Sequence, residues 1–149
     1  MNSLVYDEDM AARPFEVLEH PADIGFRAFG QDLPDLFAAA AMAMLSIAGD
    51  PGVVEPRNEY DIAVESGDRE ALMVDWLNEV LYWFDGKRIA FREFQVTALT
   101  DSAIQAVGVG EPRDPERHRA HLIVKAVTYH QLRIERRDHL WIVEVYLDI

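Results

Sequence analysis

The order of hydrophobic patterns along the chain restricts its fold more than any other feature of the sequence. Two runs with a helical period lie in the first part of the chain, at residues 32–49 and 69–84. The first run has an N-capping residue in Asp32, a proline in its first turn at Pro34 and a glycine at its end, Gly49. We therefore predict two amphipathic helices, and both precede most of the strand-like sequence.

Strand-like runs surround and follow these helices. Two short runs flank the break "HPADIG", and "YDIAVES" lies between the two helices. Four more runs come after the second helix: "FREFQVTAL", "AIQAVGVG", "LIVKAVTYHQLRIE" and "LWIVEVYLDI". This order predicts an α+β fold, in which both helices pack on one face of a mainly antiparallel sheet. Two small layers without internal symmetry are the alternative architecture.

Composition predicts one globular domain. Half of the 149 residues are apolar, which is enough for a real core, and we expect the domain to cover residues 15–149 after a flexible leader at 1–14. No cysteine is present, which excludes disulfides and thiolate metal sites. The opening sequence does not follow the pattern of a signal peptide, and no apolar run is long enough to cross a bilayer. We expect a cytoplasmic protein.

The charge of the chain disfavours direct binding to nucleic acid. Its 27 acidic and 14 basic residues give a formal net charge of -13. Such a surface repels a phosphate backbone. Any RNA connected with this protein would therefore be held by another protein.

Several common catalytic motifs are absent from the sequence. It has no glycine-rich phosphate loop, no G-x-S-x-G elbow, no H-E-x-x-H pair and no EF-hand loop. Polar residues in breaks between strands are what remain. "EHPADIG" places Glu19, His20 and Asp23 where their side chains could face a ligand, although such residues often serve only to form a turn.

A second candidate is the loop "GEPRDPERHR", which contains Glu111, Asp114 and His118 and two prolines. It is either a solvated surface loop or a stiffened recognition loop. Lys125 is a third candidate, because it lies among apolar residues in "LIVKAVTYH". Strand alternation would place Lys125, Val127 and Tyr129 on one face, where the lysine would need a nearby carboxylate or would extend into solvent.

The end of the chain, "VYLDI", contains two neighbouring groups of oxygen ligands. A hard dication such as Ca²⁺ prefers several oxygens, from carboxylates and from the main chain. Asp148 and the terminal carboxylate of Ile149 could supply them from one strand end. Asp23 could supply a facing carboxylate if the first and last strands were neighbours, which spacing alone does not establish.

These pieces resemble the archease family. "EHPADIGFRAFG", "DLFAAAAMAMLSIAG", "DWLNEVLYWFD", "GEPRDPERH", "KAVTYHQLRI" and the final "YLDI" occur in the family's order and spacing, from residue 15 to residue 149. The resemblance implies two related strand-helix-strand-strand units and a small, metal-binding protein that is not an enzyme. It also implies a partner, the RtcB-type RNA-splicing ligase. That ligase joins RNA ends bearing a 2′,3′-cyclic phosphate or 3′-phosphate to 5′-hydroxyl ends, using manganese and GTP.

The resemblance also assigns roles to residues. It implies a Ca²⁺ site at Asp23, Asp148 and Ile149, and it implies that Lys125 is needed to promote guanylylation and repeated turnover of the ligase. We expect the RNA to be tRNA undergoing splicing or processing, or RNA under repair.

Two positions depart from the family pattern. Pro21 stands where many relatives have threonine, so a hydroxyl that could orient the neighbouring aspartate is missing, and Arg113 replaces a common tyrosine. Neither change removes a proposed metal ligand.

Two other functions remain open from the residues. One is a stand-alone metal-dependent phosphoesterase acting on RNA ends, with Asp23 and either His20 or His118 as metal or acid-base groups. The other is a general RNA-binding or chaperone-like module.

Overall fold

A computed structural model of the protein describes residues 14–20, 23–130 and 132–149, without the side chains of Glu19 and His20. The predicted leader lies outside these residues except for Pro14, and Pro21 also lies outside them.

Two α-helices and eight strands form the described part of the chain. The helices are α1 (Leu33–Ala48) and α2 (Arg69–Asp85), and a short 3-10 turn covers Pro51–Val53. The strands are β1 (Phe15–His20), β2 (Asp23–Gly30), β3 (Asn58–Glu65), β4 (Ile89–Leu99), β5 (Ala103–Pro112), β6 (Ala126–Val127), β7 (Arg133–Arg137) and β8 (Leu140–Asp148).

Each helix is preceded by a capping aspartate, as the sequence predicts for the first of them. The side chain of Asp32 accepts a hydrogen bond of 2.8 Å from the main-chain amide of Asp35. Asp68 does the same for Ala71, also at 2.8 Å. Each bond satisfies an amide that the first helical turn leaves without a partner. In the described part of the chain, neither helix is long and apolar enough to span a membrane.

The strands form two antiparallel sheets. In the five-stranded sheet β8 is central: β2 pairs with one edge of it, β1 pairs with the outer edge of β2, and β6 and β7 also pair with β8. The three-stranded sheet has the order β3-β5-β4. The predicted α+β class and the antiparallel pairing are confirmed, with the strands divided between two sheets.

The three-stranded sheet is made by one continuous part of the chain. The order β3-α2-β4-β5 is a strand-helix-strand-strand run, the unit that the family resemblance implies. The five-stranded sheet uses strands from both sides of that run, β1 and β2 before it and β6 to β8 after it. Pairing of β2 with β8 therefore joins the two ends of the described chain.

The core lies where the helices meet the sheets. Helix α1 packs against β2 and β4, and α2 packs against β3, β4 and β6. Trp76 of α2 is fully buried, and its indole N–H donates a hydrogen bond of 2.9 Å to the carbonyl oxygen of Phe37 in α1. This bond satisfies the one polar group of the largest core side chain and fixes the two helices together.

One predicted strand is wrong. The run "LIVKAVTYHQLRIE" forms two separate short strands, β6 and β7, and the predicted alternation fails around Lys125. Val124 and Val127 are both buried, whereas Lys125 and Tyr129 are exposed. Lys125, Val127 and Tyr129 therefore do not share one face.

A side chain takes the place of a neighbouring strand at one edge of β6. The amide of Asn78 in α2 accepts a hydrogen bond of 3.0 Å from the Val127 N–H and donates one of 3.4 Å to the Val127 carbonyl oxygen. These bonds occupy the edge of β6 that does not pair with β8. Strand β6 stays two residues long because β7 pairs with residues 140–144 of β8, and only Leu147 and Asp148 near the end of β8 pair with β6.

Candidate metal and partner site

The pairing of β2 with β8 brings the predicted metal ligands to one end of the sheet. Ile24 pairs with Leu147 and Gly25 pairs with Tyr146. Asp23, the first residue of β2, and Asp148, the last residue of β8, are the next positions outward on these two strands. Two aspartates from opposite ends of the sequence are thus neighbours at the same sheet end, as the metal hypothesis requires.

Lys125 lies at the same end, held by its main chain. Its amide donates a hydrogen bond of 2.7 Å to the carbonyl oxygen of Asp148, and the next residue, Ala126, pairs with Asp148 in the sheet. The side chain is exposed and lines a shallow groove of about 370 Å³. The other residues that line this groove are Asn78, Leu81, Tyr82, Asp85 and Gly86 of α2 and its C-cap.

Tyr146, which is not among the candidate residues that the sequence indicates, lies beside this end. Its ring covers Gly25 so closely that a Cβ atom added there would lie 2.8 Å from the Tyr146 Cδ1 atom and 2.8 Å from the Val145 carbonyl oxygen. The Tyr146 hydroxyl donates a hydrogen bond of 3.2 Å to Glu144. The sequence did contain a signal, since Glu144, Tyr146 and Asp148 alternate along one strand and so share a face.

Charged neighbours act on the tyrosine. Burial raises the pKa of Tyr146, and the negative charge of Glu144, its hydrogen bond and the charge of Asp23 raise it further. Glu144 is itself paired with Arg27, whose Nε and Nη2 atoms lie 3.1 and 2.7 Å from one carboxylate oxygen. Arg27 also pairs with Glu16. Glu16, Arg27, Glu144 and Tyr146 therefore form a connected polar row across β1, β2 and β8. This row leads to the end of the sheet where Asp23 lies.

The donor atoms at this end suit a hard cation. They are oxygens of Asp23, Asp148 and Ile149, the ligand type that Ca²⁺ prefers. Within the described ranges, no group of three or more His, Cys, Asp or Glu side chains could hold a metal. A site here would therefore combine the two aspartates with main-chain oxygen from Ile149, and the metal assignment stays a prediction.

The candidate loop residues Glu111 and His118 are buried. Glu111 Oε2 accepts a hydrogen bond of 2.9 Å from the Glu55 amide and lies 2.9 Å from His118 Nε2. Glu111 Oε1 lies 2.7 Å from Arg117 Nη2 and 3.1 Å from Arg57 Nε. The His118 Nδ1 atom accepts a hydrogen bond of 2.8 Å from the Asp114 amide, so Nε2 carries the proton that faces Glu111.

This network keeps Glu111 ionised. Burial alone would raise its pKa, but the Glu55 amide, Arg117 and His118 outweigh that effect and lower the pKa from 4.5 to about 2. Asp114 shapes the same loop, since its side chain accepts a hydrogen bond of 3.0 Å from the Glu116 amide. The buried carboxylate therefore fixes the loop that leads from β5 to Lys125. A role of Glu111 or His118 in partner binding would be exerted through that loop.

His20 is the remaining candidate. Its backbone pairs with that of Asp23 in the β1-β2 hairpin, and its side chain lies outside the described residues. Its proposed role stays a prediction.

Comparison with known proteins identifies the family. Residues 15–149 match the model of the Archease protein family (MTH1598/TM1083). The chain belongs to this family.

Two relatives match nearly the whole of this chain and of their own chains. The protein archease of Methanopyrus kandleri is 38% identical over 139 residues, which covers 91% of this chain and 99% of that protein. The protein archease of Methanosarcina acetivorans is 39% identical over 141 residues, which covers 92% and 97%.

Two solved structures have the same fold. The solution structure of Methanobacterium thermoautotrophicum protein 1598 superposes with a TM-score of 0.77 at 32% identity, covering 92% of this chain and 99% of that one. A crystal structure from Thermotoga maritima, described as an archease and possible chaperone, gives a TM-score of 0.63 at 20% identity. It covers 89% of this chain and 94% of the other, and at this identity it supports the fold alone.

Proposed function

We propose that this archease is a metal-binding accessory protein that activates an RtcB-type RNA ligase. It promotes guanylylation of the ligase and its multiple turnover, in tRNA splicing or processing or in RNA repair. The observation that supports this best is the meeting of Asp23, Asp148, Ile149 and Lys125 at one end of the five-stranded sheet. Membership of the archease family supports an accessory role.

In this proposal the three oxygen-bearing residues hold a divalent cation, with Ca²⁺ as the best match to their donors. When bound, the cation supplies positive charge at the sheet end that meets the ligase. Asp23 and Asp148 bind it with their carboxylates, and Ile149 with main-chain oxygen. The exposed Lys125 ammonium is then free to contact a nucleotide phosphate or a carboxylate of the ligase.

Charge supports an indirect relation to RNA. With a net charge of -13, the protein repels free RNA and is attracted to an enzyme whose cleft must be cationic to hold RNA and GTP. We therefore place the RNA on the ligase, and we expect both proteins in the cytoplasm.

The stand-alone phosphoesterase that uses His118 as its acid-base group is the weaker candidate. It needs a histidine that can exchange a proton with a substrate. His118 is only 6% exposed, and both of its ring nitrogens are engaged, one by Glu111 and the other by the Asp114 amide. The accessory role does not require a histidine that exchanges protons. We therefore propose that the protein has no catalytic activity of its own.

The test is RNA ligation by the cognate ligase with GTP and manganese, at substoichiometric and saturating amounts of this protein. We expect faster guanylylation and a rise in turnovers per ligase. An active ligase that gains nothing from the protein would contradict the proposal, and cleavage of cyclic-phosphate RNA by the protein alone would favour the phosphoesterase.

A further inference from the structure

Exposed apolar side chains are concentrated around Lys125 and Asp148. Among the described residues, seven large hydrophobic side chains are exposed, and two of these belong to other segments, Val17 to β1 and Val53 to the 3-10 turn after α1. The other five, which we call the apolar collar, are Tyr82, Leu122, Ile123, Tyr129 and Ile149. Scattered apolar residues are ordinary on a protein surface, but a group around a proposed functional site marks an interface.

Main-chain hydrogen bonds fix the position of the segment that carries Leu122 and Ile123 of the collar. The His121 and Leu122 amides donate hydrogen bonds of 2.9 and 3.4 Å to the carbonyl oxygens of Ala48 and Ile47 at the end of α1. Two residues later Val124 is only 2% exposed. Between these anchors Ile123 is 76% exposed, more than any other large hydrophobic residue described. The segment is tied down on both sides, and the isoleucine nevertheless remains in water.

The rest of the collar adjoins the lysine and the carboxylates. Tyr82, 56% exposed, lines the same groove as Lys125. Tyr129 follows β6, which begins at the residue after Lys125, and Ile149 follows Asp148. The collar therefore adjoins the residues to which we assign activation.

We propose that the apolar collar is the docking surface for the ligase. This proposal rests on the function proposed above. The partner surface it fits is an apolar rim around a positively charged cleft. The apolar side chains match the rim, and the carboxylates beside the collar, those of Asp23, Asp85 and Asp148, match the cleft. A second copy of this chain is a poorer fit, because it carries the same negative charge.

The collar and the site have separable tasks. The collar supplies affinity by removing apolar surface from water, whereas Lys125 and the carboxylates act after docking. Substitution of Leu122, Ile123 or Tyr129 should raise the concentration that gives half-maximal stimulation and leave the maximum unchanged. Substitution of Lys125 should lower the maximum and change that concentration little.

The experiment measures both quantities for the same variants. The dissociation constant is obtained with immobilised cognate ligase, and stimulation of ligation is titrated in parallel. The variants are Ile123→Ser, the double variant Leu122→Ser with Ile123→Ser, and Tyr129→Ser. Val17→Ser and Val53→Ser are the controls, since Val17 and Val53 are 47% and 45% exposed and lie outside the collar. Thermal unfolding checks that each variant is folded.

We expect Ile123→Ser to weaken binding about tenfold and the double variant more, with unchanged maximal stimulation and with controls that match the unaltered protein. Equal dissociation constants for collar variants and controls would overturn the docking surface and leave the proposed function intact. A stable dimer of the unaltered protein that the collar variants dissociate would assign the surface to self-association and would also overturn it. If the unaltered protein bound the ligase but did not stimulate it at saturation, the proposed function would be overturned. If it also failed to bind the ligase, the assignment of the collar as a docking surface would be overturned.

Discussion

The main-chain amide of Lys125 donates a 2.7 Å hydrogen bond to the carbonyl oxygen of Asp148. Because this bond involves only backbone atoms, either side chain can be replaced without breaking it. The functional contributions of the lysine and the aspartate can therefore be tested separately from their structural connection.

Lys125→Ala should abolish stimulation of the ligase and leave the fold intact. The side chain is exposed, so we expect the free energy of unfolding to change by less than about 0.5 kcal/mol. Ligation assays and urea denaturation measure the two effects. Arg133→Ala is the control, since Arg133 is a cation of β7 whose side chain is 75% exposed. Full stimulation by Lys125→Ala would remove this lysine from the mechanism.

Asp148→Asn and Asp23→Asn should each weaken Ca²⁺ binding about tenfold or more, because each removes a charged oxygen ligand from a hard cation. Isothermal titration calorimetry with Ca²⁺ measures the loss. Asp61→Asn serves for comparison, since Asp61 is an exposed aspartate of β3 in the other sheet. Equal Ca²⁺ affinities for all three variants and the unaltered protein would mean that Asp23 and Asp148 do not bind the ion.

Asn78→Ala should loosen the segment that carries Lys125. It removes both hydrogen-bond partners of Val127, a buried residue, and should cost about 1–3 kcal/mol. Hydrogen exchange at the Val127 amide should become faster, while exchange in β3 to β5 should stay near its original rate. Unchanged protection at Val127 would mean that β6 does not depend on this side chain.

Glu111→Gln should destabilise the protein at neutral pH by about 1–3 kcal/mol, since it removes the charge that Arg117 and Arg57 face. The pKa of Glu111 is lowered from 4.5 to about 2, so its stabilising effect is complete above pH 4.5 and is lost as the pH falls toward 2.

The difference in unfolding free energy between Glu111→Gln and the unaltered protein should therefore shrink over this interval. Urea denaturation at several pH values measures it, and Glu93→Gln, at an exposed glutamate of β4, is the comparison. A difference that does not depend on pH would argue against the ionised network.

Gly25→Ala should destabilise the sheet end by about 1–3 kcal/mol, because the new methyl group would lie 2.8 Å from a backbone oxygen and from the Tyr146 ring. Displacement of Tyr146 should also weaken Ca²⁺ binding at the neighbouring aspartates. Gly67→Ala is the control, since no atom lies within 4 Å of a Cβ atom at that position. Equal melting temperatures for the two variants would contradict the close packing of Tyr146 on β2.

Local signals in the sequence were enough for the helices. The predicted first helix agrees with α1, and the second agrees with α2, because a capping aspartate and a periodic apolar stripe act within one helix. The alternation predicted around Lys125 is wrong because this segment contacts residues that are distant in the sequence. Asn78 is remote in sequence from Val127, so the pattern around the lysine could not reveal which group its neighbour would bind.

The site was predictable only in part for the same reason. The choice of Asp23 and Asp148 as candidates came from their residue type, whereas their proximity depends on the pairing of β2 with β8. The loop around Glu111 looks solvated in the sequence because it is rich in charge. Its buried network needs Glu55 and Arg57, which come from the segment before β3.

The central position of β8 has a consequence for the synthesis of this protein. Most of the chain separates β2 from its partner, so β2 leaves the ribosome long before the strand that completes its sheet. The run β3-α2-β4-β5 has all its sheet partners within itself and can fold first. Until β8 emerges, the inner edge of β2 is open to pairing with other nascent chains. The proposed ligands at Asp23 and Asp148 meet only when that period of exposure ends.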